Sequence, residues 1–348
     1  MPVNPQHILV IHIAGLAQTV LALPALRSLR HHFPQSRITV ASGAAVADLL
    51  RLAECADEIL PVARFRGAEF LNPRKFYRAT KSLGELRRGN YDLAIEFKTN
   101  AEAGVVRQFA HPRERLGRRK NLNQTVDAVL DRLTQAISKP SALTHAAHEY
   151  LKKLEPLGVR PIEAEPRIGA NRESDERVEK LLGKHGVEFG ELLVGIHPGA
   201  GPGHPRWPLE KFASIGARMI HNFNARVIVF AGPNERGLAK RLVALLPAKP
   251  PAKRAFAIES PKIADFVSAA ARLSLFIANH SGPAHVAAAA GAPVVVASTF
   301  VQASPQDLLG SRVEHVRAPH VQLISEEEVY EAGCRLLKTS RTEFLRSR

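Results

Sequence analysis

The chain has 348 residues, 45 % of them hydrophobic and 6 % aromatic, which is enough apolar content for two packed cores built mainly from Ala, Val, Leu and Ile. The formal net charge of +15 favours a polyanionic partner (nucleic acid, an anionic lipid surface or a phosphorylated substrate), with a merely solvated basic surface as the alternative. Cys55 and Cys334 lie far apart without metal or redox spacing, which fits a reducing compartment. No run of about 20 apolar residues is present to span a membrane, and the opening MPVNPQHILVIHIAG lacks the basic region of a secretory leader.

In chain order, His7 to Ile13 is a compact apolar run that predicts a buried parallel strand. A loop from Ala14 to Thr19 and a helix over about Val20 to Phe33 follow. Arg37 to Ala41 predicts a strand, Ala44 to Leu52 a helix, Glu58 to Val62 a strand, Pro73 to Arg88 a helix and Tyr91 to Phe97 a fourth strand. Further βα-like sequence leads to a helix over Ala146 to Leu157. The Pro- and Gly-containing stretch from Gly158 to Asn171 reads as the linker region. Glu173 to Lys184 then predicts a helix.

The second half repeats the alternation, with strands at Leu192 to His197, Ala225 to Ala231, near Phe256, Leu275 to Ala278 and Pro293 to Ser298. Helices are expected at Leu209 to Asn222, Asn234 to Leu246, Ile263 to Ala271, Pro283 to Ala290 and Ser325 to Leu337. The expected division is residues 1–165, residues 166–325 and a C-terminal helix with a basic tail over 326–348. Two successive doubly wound α/β domains place a ligand in the crevice between them, beyond the carboxyl ends of the strands. That selects the loops after His12, Phe97, His197, Ala231 and Ala278.

The loop from His197 to Pro208 (HPGAGPGHPRWP) carries Gly199, Gly201 and Gly203, which let backbone approach a ligand, and Arg206, which suits a phosphate clamp. A long Pro/Gly connection without a ligand remains the alternative. In Asn279 to His285 (NHSGPAH), Ser281 suits a helix cap, Pro283 the first turn, and the helix N-terminus an anion. An ordinary strand-to-helix turn would look the same. Glu235, read as lying in the first turn of its helix, either favours the helix dipole or accepts from ligand hydroxyls.

In the first half, Gly15 permits tight turning and Gln18 hydrogen-bonds but is no base near neutral pH. Glu96 closes the fourth strand as a candidate base. The basic residues Arg113, Arg115, Arg118, Arg119 and Lys120, with Arg27 and Arg30, form either a surface for an acidic acceptor or headgroups, or a solvated face. No RNA-recognition, zinc-finger or helix-turn-helix signature is present and aromatics are scarce, so no specific nucleic acid is expected.

Together these segments resemble the ADP-heptose:lipopolysaccharide heptosyltransferase family. The resemblance rests on ILVIHIAGLAQTVLALPALRSLRHHFPQSRITV, on YDLAIEFKTN against a YDLVIDLQG-like strand, on HAAHEYLKKLEPLGV, and on VGIHPGAG…RWPLEKFA followed by FIANHSGPAHVAAAAGAPVVV. It implies a GT-B architecture, two Rossmann-like domains facing across a cleft, and an inverting sugar transfer without metal or other cofactor. The implied partners are a nucleotide-sugar donor, an ADP-sugar first, and a lipopolysaccharide-core or related acidic glycolipid acceptor. The implied location is the cytoplasm, peripherally at the cytoplasmic face of the inner membrane.

Carried over by position, the donor contacts are His197, Gly199, Ala200, Gly201, Arg206, Glu235, His280, Ser281, Gly282 and His285. The acceptor side carries Gly15, Arg115, Arg118, Arg119 and Lys120. Two positions depart from the family. Where an SLGD-like loop supplies the general base, this chain has Gly15-Leu16-Ala17-Gln18. Where Asn-Asp-Ser/Thr-Gly is usual, it has Asn279-His280-Ser281-Gly282. Glu96, Asp92, Glu102 and His280 are candidate substitutes for the missing base. The competing expectation is a degenerate protein that binds nucleotide, sugar or a partner without turnover.

Overall fold

The computed structural model describes residues 4–62, 73–116, 145–201, 203–246, 254–299 and 307–346. The chain divides into two compact units, Met1–Ala164 and Glu165–Arg348.

Unit 1 contains β1 (His7–His12), α1 (Leu16–His32), β2 (Arg37–Gly43), α2 (Ala44–Leu52), β3 (Glu58–Val62), α3 (Pro73–Arg88), β4 (Leu93–Glu96), α4 (Ala101–Ala110), β5 (Glu114–Leu116) and α5 (Ala146–Lys152). Its sheet is parallel in the order β3-β2-β1-β4-β5. β1 is paired along both edges, and the unbroken run Ile8 to Ile11 is fully buried, as expected of a parallel strand with helices packed on both faces. Leu9, Ile11, Ile13, Ala94, Ala103 and Val106 share one core cluster.

Helix α1 starts four residues earlier than the sequence pattern suggests. Gly15 is its extended N-cap without a side-chain cap, and Thr19 satisfies the Gly15 carbonyl through both its amide and its hydroxyl, each at 3.0 Å. Gln18 therefore stands in a helical first turn and not in a loop.

Unit 2 contains α6 (Arg172–Lys184), β6 (Leu193–His197), α7 (Leu209–Phe223), β7 (Arg226–Ala231), α8 (Leu238–Leu245), β8 (Ala255–Glu259), α9 (Ile263–Ala271), β9 (Leu275–Asn279), α10 (Gly282–Ala289), β10 (Val294–Thr299), β11 (Val313–Ala318) and α11 (Glu326–Arg346). The six parallel strands run β11-β10-β9-β6-β7-β8, the order of a dinucleotide-binding sheet with its topological switch between β6 and β9. β11 escaped the sequence reading because VEHVRA is a charged edge strand whose pattern lacks an apolar run. Trp207, Phe212, Ile196, Val229, Ile277 and Val329 belong to the core that holds α7 and α11 against the sheet.

Helix α8 begins at Leu238, because Gly237 adopts a left-handed φ of 77°. Glu235 thus lies in the turn before the helix. Among the described residues, no helix is long and apolar enough to cross a membrane.

Candidate functional site

The carboxyl ends of β6, β7 and β9 converge in unit 2. His197 ends β6, and its buried imidazole joins the neighbouring strand ends. Nε2 lies 3.1 Å from Glu235 Oε2, and Nδ1 lies 3.5 Å from Ser281 Oγ. With Glu235 ionised, Nε2 is the donor, which leaves Nδ1 to accept from the serine hydroxyl.

Glu235 Oε2 also accepts the Gly232 amide at 2.8 Å. Burial pushes this carboxyl up, but the hydrogen bond and charge of His197, the Gly232 amide and the Arg206 charge outweigh it and hold the group below the usual carboxylate range. The carboxylate is thus an ionised acceptor at the head of the sheet. Gly199 makes room for it, since a Cβ there would collide with the Glu235 carboxylate.

The glycine-rich loop is fixed from beneath. Asn279, 1 % exposed, ends β9. Its Oδ1 accepts the Trp207 amide at 2.8 Å, and its Nδ2 donates to Pro198 O at 2.8 Å and Gly199 O at 3.2 Å. Trp207 is buried edge-on against Phe212, and its indole N–H donates to Ile324 O at 3.0 Å. Arg206 Nη2 reaches Ala200 O at 3.5 Å, and His204 packs beside Gly201. The sequence pattern singled out neither Asn279 nor Trp207. The visible signal for both was a polar residue and the lone tryptophan bordering glycine-rich turns.

Ser281 is the N-cap residue of α10 but makes no side-chain cap bond, because its hydroxyl faces His197. The helix begins at Gly282, with Pro283 in the first turn and His285 buried one turn on. The first-turn amides suit an anion.

His280 stands beside a cluster that the sequence did not reveal. Its Nε2 is 3.7 Å from Asp307 Oδ1, its ring meets His285 edge-on with centroids 5.4 Å apart, and Asp307 Oδ2 accepts from Arg317 Nη2 at 2.6 Å. Asp307 thus brings a carboxylate next to the position where the family resemblance expects one.

In unit 1 the switch point lies between β1 and β4. Gln18 Oε1 accepts from Lys98 Nζ at 2.5 Å. Lys98 was not foreseen, because 80 residues separate the pair. Asn100 caps α4, with Oδ1 accepting the Ala103 amide, while its Nδ2 donates to Ile13 O at 2.9 Å.

Glu96 is bound by Arg107 at 2.8 Å, with its side chain 9 % exposed. Burial raises its carboxyl against the opposing pull of Arg107. Asp92 precedes β4 and so lies at the opposite, amino edge. It accepts the Gln6 and His7 amides at 2.9 Å each, which removes it from the candidate bases. Glu102 lies in the first turn of α4.

The proposed basic surface is reduced. Arg27 pairs with Glu163 at 2.8 Å, Arg30 with Asp57, and Arg113 with Asp92 at 3.4 Å. Arg115 lies in β5. Arg118, Arg119 and Lys120 lie outside the described residues.

Residues 80–322 match glycosyltransferase family 9 (heptosyltransferase). Among solved structures, the chain is similar to the family 9 glycosyl transferase of Veillonella parvula DSM 2008, at 19 % identity over 97 % of this chain and 99 % of that one, with a TM-score of 0.79. It is similar to E. coli ADP-heptose lps heptosyltransferase II, at 19 % identity over 96 % and 99 %, TM-score 0.72. It is also similar to E. coli heptosyltransferase WaaC, solved with ADP, at 15 % identity over 95 % and 99 %, TM-score 0.71. No curated protein matches it in sequence. The structural likenesses carry the GT-B fold, and the match over well more than half of the sequence carries the family. This chain belongs to glycosyltransferase family 9, the heptosyltransferases.

Proposed function

We propose that the chain transfers a heptose-like sugar from an ADP-sugar to a lipopolysaccharide-core or related acidic glycolipid acceptor, with inversion and without a metal cofactor. The observation that carries this reading is the His197 bridge, which gathers Glu235 and Ser281 around the open backbone of Gly199. Glu235 accepts the ribose hydroxyls. The first amides of α10, beside Ser281, and Arg206 receive the diphosphate.

As the bond from the sugar anomeric carbon to the diphosphate oxygen breaks, negative charge grows on the leaving group. The helix N-terminus and Arg206 stabilise that charge. The acceptor oxygen forms its bond on the opposite face, and ADP departs. Work at the cytoplasmic face of the inner membrane follows from the lipid acceptor, and the charge of +15 supports it.

The test is thermal stabilisation by ADP, UDP, GDP, CMP and their sugar conjugates, first without metal and then with magnesium. A ligand at about 100 times its Kd adds about 2.7 kcal/mol. Selective stabilisation by ADP compounds without metal is expected. No stabilisation by any nucleotide overturns the reading. A second reading, a binding protein without turnover, is favoured by the Gln18–Lys98 pair and by His280 at the two positions where acids are usual. Selective binding with no transfer to any acceptor would support it.

A further inference from the structure

Among the described residues at the switch point of unit 1, no proton acceptor stands at the position of Gln18, and most of the titratable groups around it are engaged elsewhere. Gln18, where the family resemblance expects the general base, offers an amide whose oxygen already accepts from Lys98. His12 is fully buried at the end of β1. Its Nε2 is held 3.2 Å from Thr19 Oγ1, and its ring meets Phe97 and Tyr150 edge-on. Burial, with Lys98 and Lys153 adding to it, pushes its pKa down to about 3, so it cannot hold a proton taken from an alcohol. Glu96 is withdrawn against Arg107 in α4. Lys153 of unit 1 donates to the Phe97 and Glu96 carbonyls. Among the described residues, the remaining carboxylate at this edge is Glu102, in the first turn of α4.

Gln18 and Lys98 are both half-buried, at the edge where strands β1 and β4 diverge. Ligands of parallel α/β sheets gather at such a switch point. The pair there consists of an ammonium and an amide that still has N–H donors to offer.

We propose that the acceptor attacks through an oxygen that is already anionic, a phosphate monoester or a carboxylate, held by Lys98 and Gln18. This rests on the glycosyl-transfer reading above. A sugar hydroxyl must lose a proton during attack, whereas a carboxylate has none at neutral pH and a phosphate monoester, with a second pKa of about 6, is mostly a dianion. A lone pair of the anionic oxygen forms the bond to the anomeric carbon. The bond from that carbon to the diphosphate breaks with its electron pair going to the diphosphate oxygen, and the nucleoside diphosphate leaves. No proton is transferred. Phosphate yields a glycosyl phosphate, and carboxylate yields an acyl glycoside.

The test uses the full chain with the nucleotide sugar that stabilises it. Inorganic phosphate, acetate and methyl glucoside are offered as minimal acceptors, and nucleoside diphosphate release and product linkage are followed by phosphorus NMR and mass spectrometry. The expected result is release accelerated at least about tenfold by phosphate or acetate but not by methyl glucoside, with a rate flat from about pH 7 to 9 because no base has to ionise. The product shows which of the two anions is used. Lys98→Met lowers the anion-dependent rate at least about tenfold while Lys98→Arg retains most of it, and Gln18→Asp lowers it by repulsion.

Transfer to methyl glucoside alone, lost in Glu102→Gln, overturns the proposal. So does the absence of transfer to all three acceptors while the nucleotide sugar still binds. If no nucleotide sugar binds, the glycosyl-transfer reading itself has failed.

Discussion

His197 Nε2 and Glu235 Oε2 lie 3.1 Å apart across 38 residues of sequence, and this contact joins the ends of β6 and β7 above the glycine-rich loop. Glu235→Gln preserves the shape but removes the charge that the ribose hydroxyls would meet, and isothermal titration should show nucleotide affinity reduced by about 10–100-fold. Because the folded carboxyl is held below its ordinary value, its favourable contribution is complete above that value. It disappears as pH falls through the lowered one. Gly199→Ala should weaken binding as well, by pushing the Glu235 side chain out of place.

Asn279 joins two loops with one amide, so its variants should separate packing from hydrogen bonding. Asn279→Ala leaves the Trp207 amide and the Pro198 and Gly199 carbonyls without their partner, and should cost about 1–3 kcal/mol in denaturant unfolding. Asn279→Asp should cost more than Asn279→Ala, because a carboxylate oxygen would then face two carbonyls. Equal stability of the two variants would contradict the assigned orientation of the amide.

His280 and Asp307 form a pair whose logic a double-mutant cycle can read. His280→Asp alone restores the family residue but brings two carboxylates near each other, at an interaction cost of about 1–4 kcal/mol. Adding Asp307→Asn should recover most of the loss, with a coupling energy of about 0.5–3 kcal/mol. Additive effects on thermal stability and nucleotide binding would mean that the 3.7 Å approach carries no energy.

His12 should remain neutral far into acid. Burial pushes its pKa from 6.5 to about 3. The unfolded chain therefore takes up a proton that the folded chain refuses, and the stability of unit 1 should decline progressively as pH falls below the ordinary histidine value towards the folded one. The imidazole carbon-bound proton should show no titration in NMR above about pH 4. A midpoint near the ordinary histidine value would refute this, and His12→Phe should remove its share of the acid dependence.

The alternation of strands and helices was legible because the central strands are buried on both faces and carry unbroken apolar runs, as in Ile8 to Ile11 and Val227 to Ala231. Helix starts were less legible. Gly15 caps α1 without a side-chain oxygen, so nothing polar marked the beginning. Asn234-Glu235 resembled an acidic first turn although Gly237 delays α8. At the site, the loops could be read from glycine spacing, but Lys98 beside Gln18 and Asp307 beside His280 could not. Those contacts join segments distant in sequence, and no local pattern encodes which of them meet.

The indole N–H of Trp207 is held by the carbonyl of Ile324, immediately before the C-terminal helix. The consequence is temporal. On the ribosome, domains fold as units from the N-terminus, and β1 can pair with β2 and β4 while unit 2 is still untranslated. The glycine-rich loop, in contrast, waits about 70 residues for Asn279 and still longer for Ile324. The nascent chain therefore carries the sheet of unit 1 well before the glycine-rich loop of unit 2 is held in place, and that loop is among the last parts of the molecule to mature.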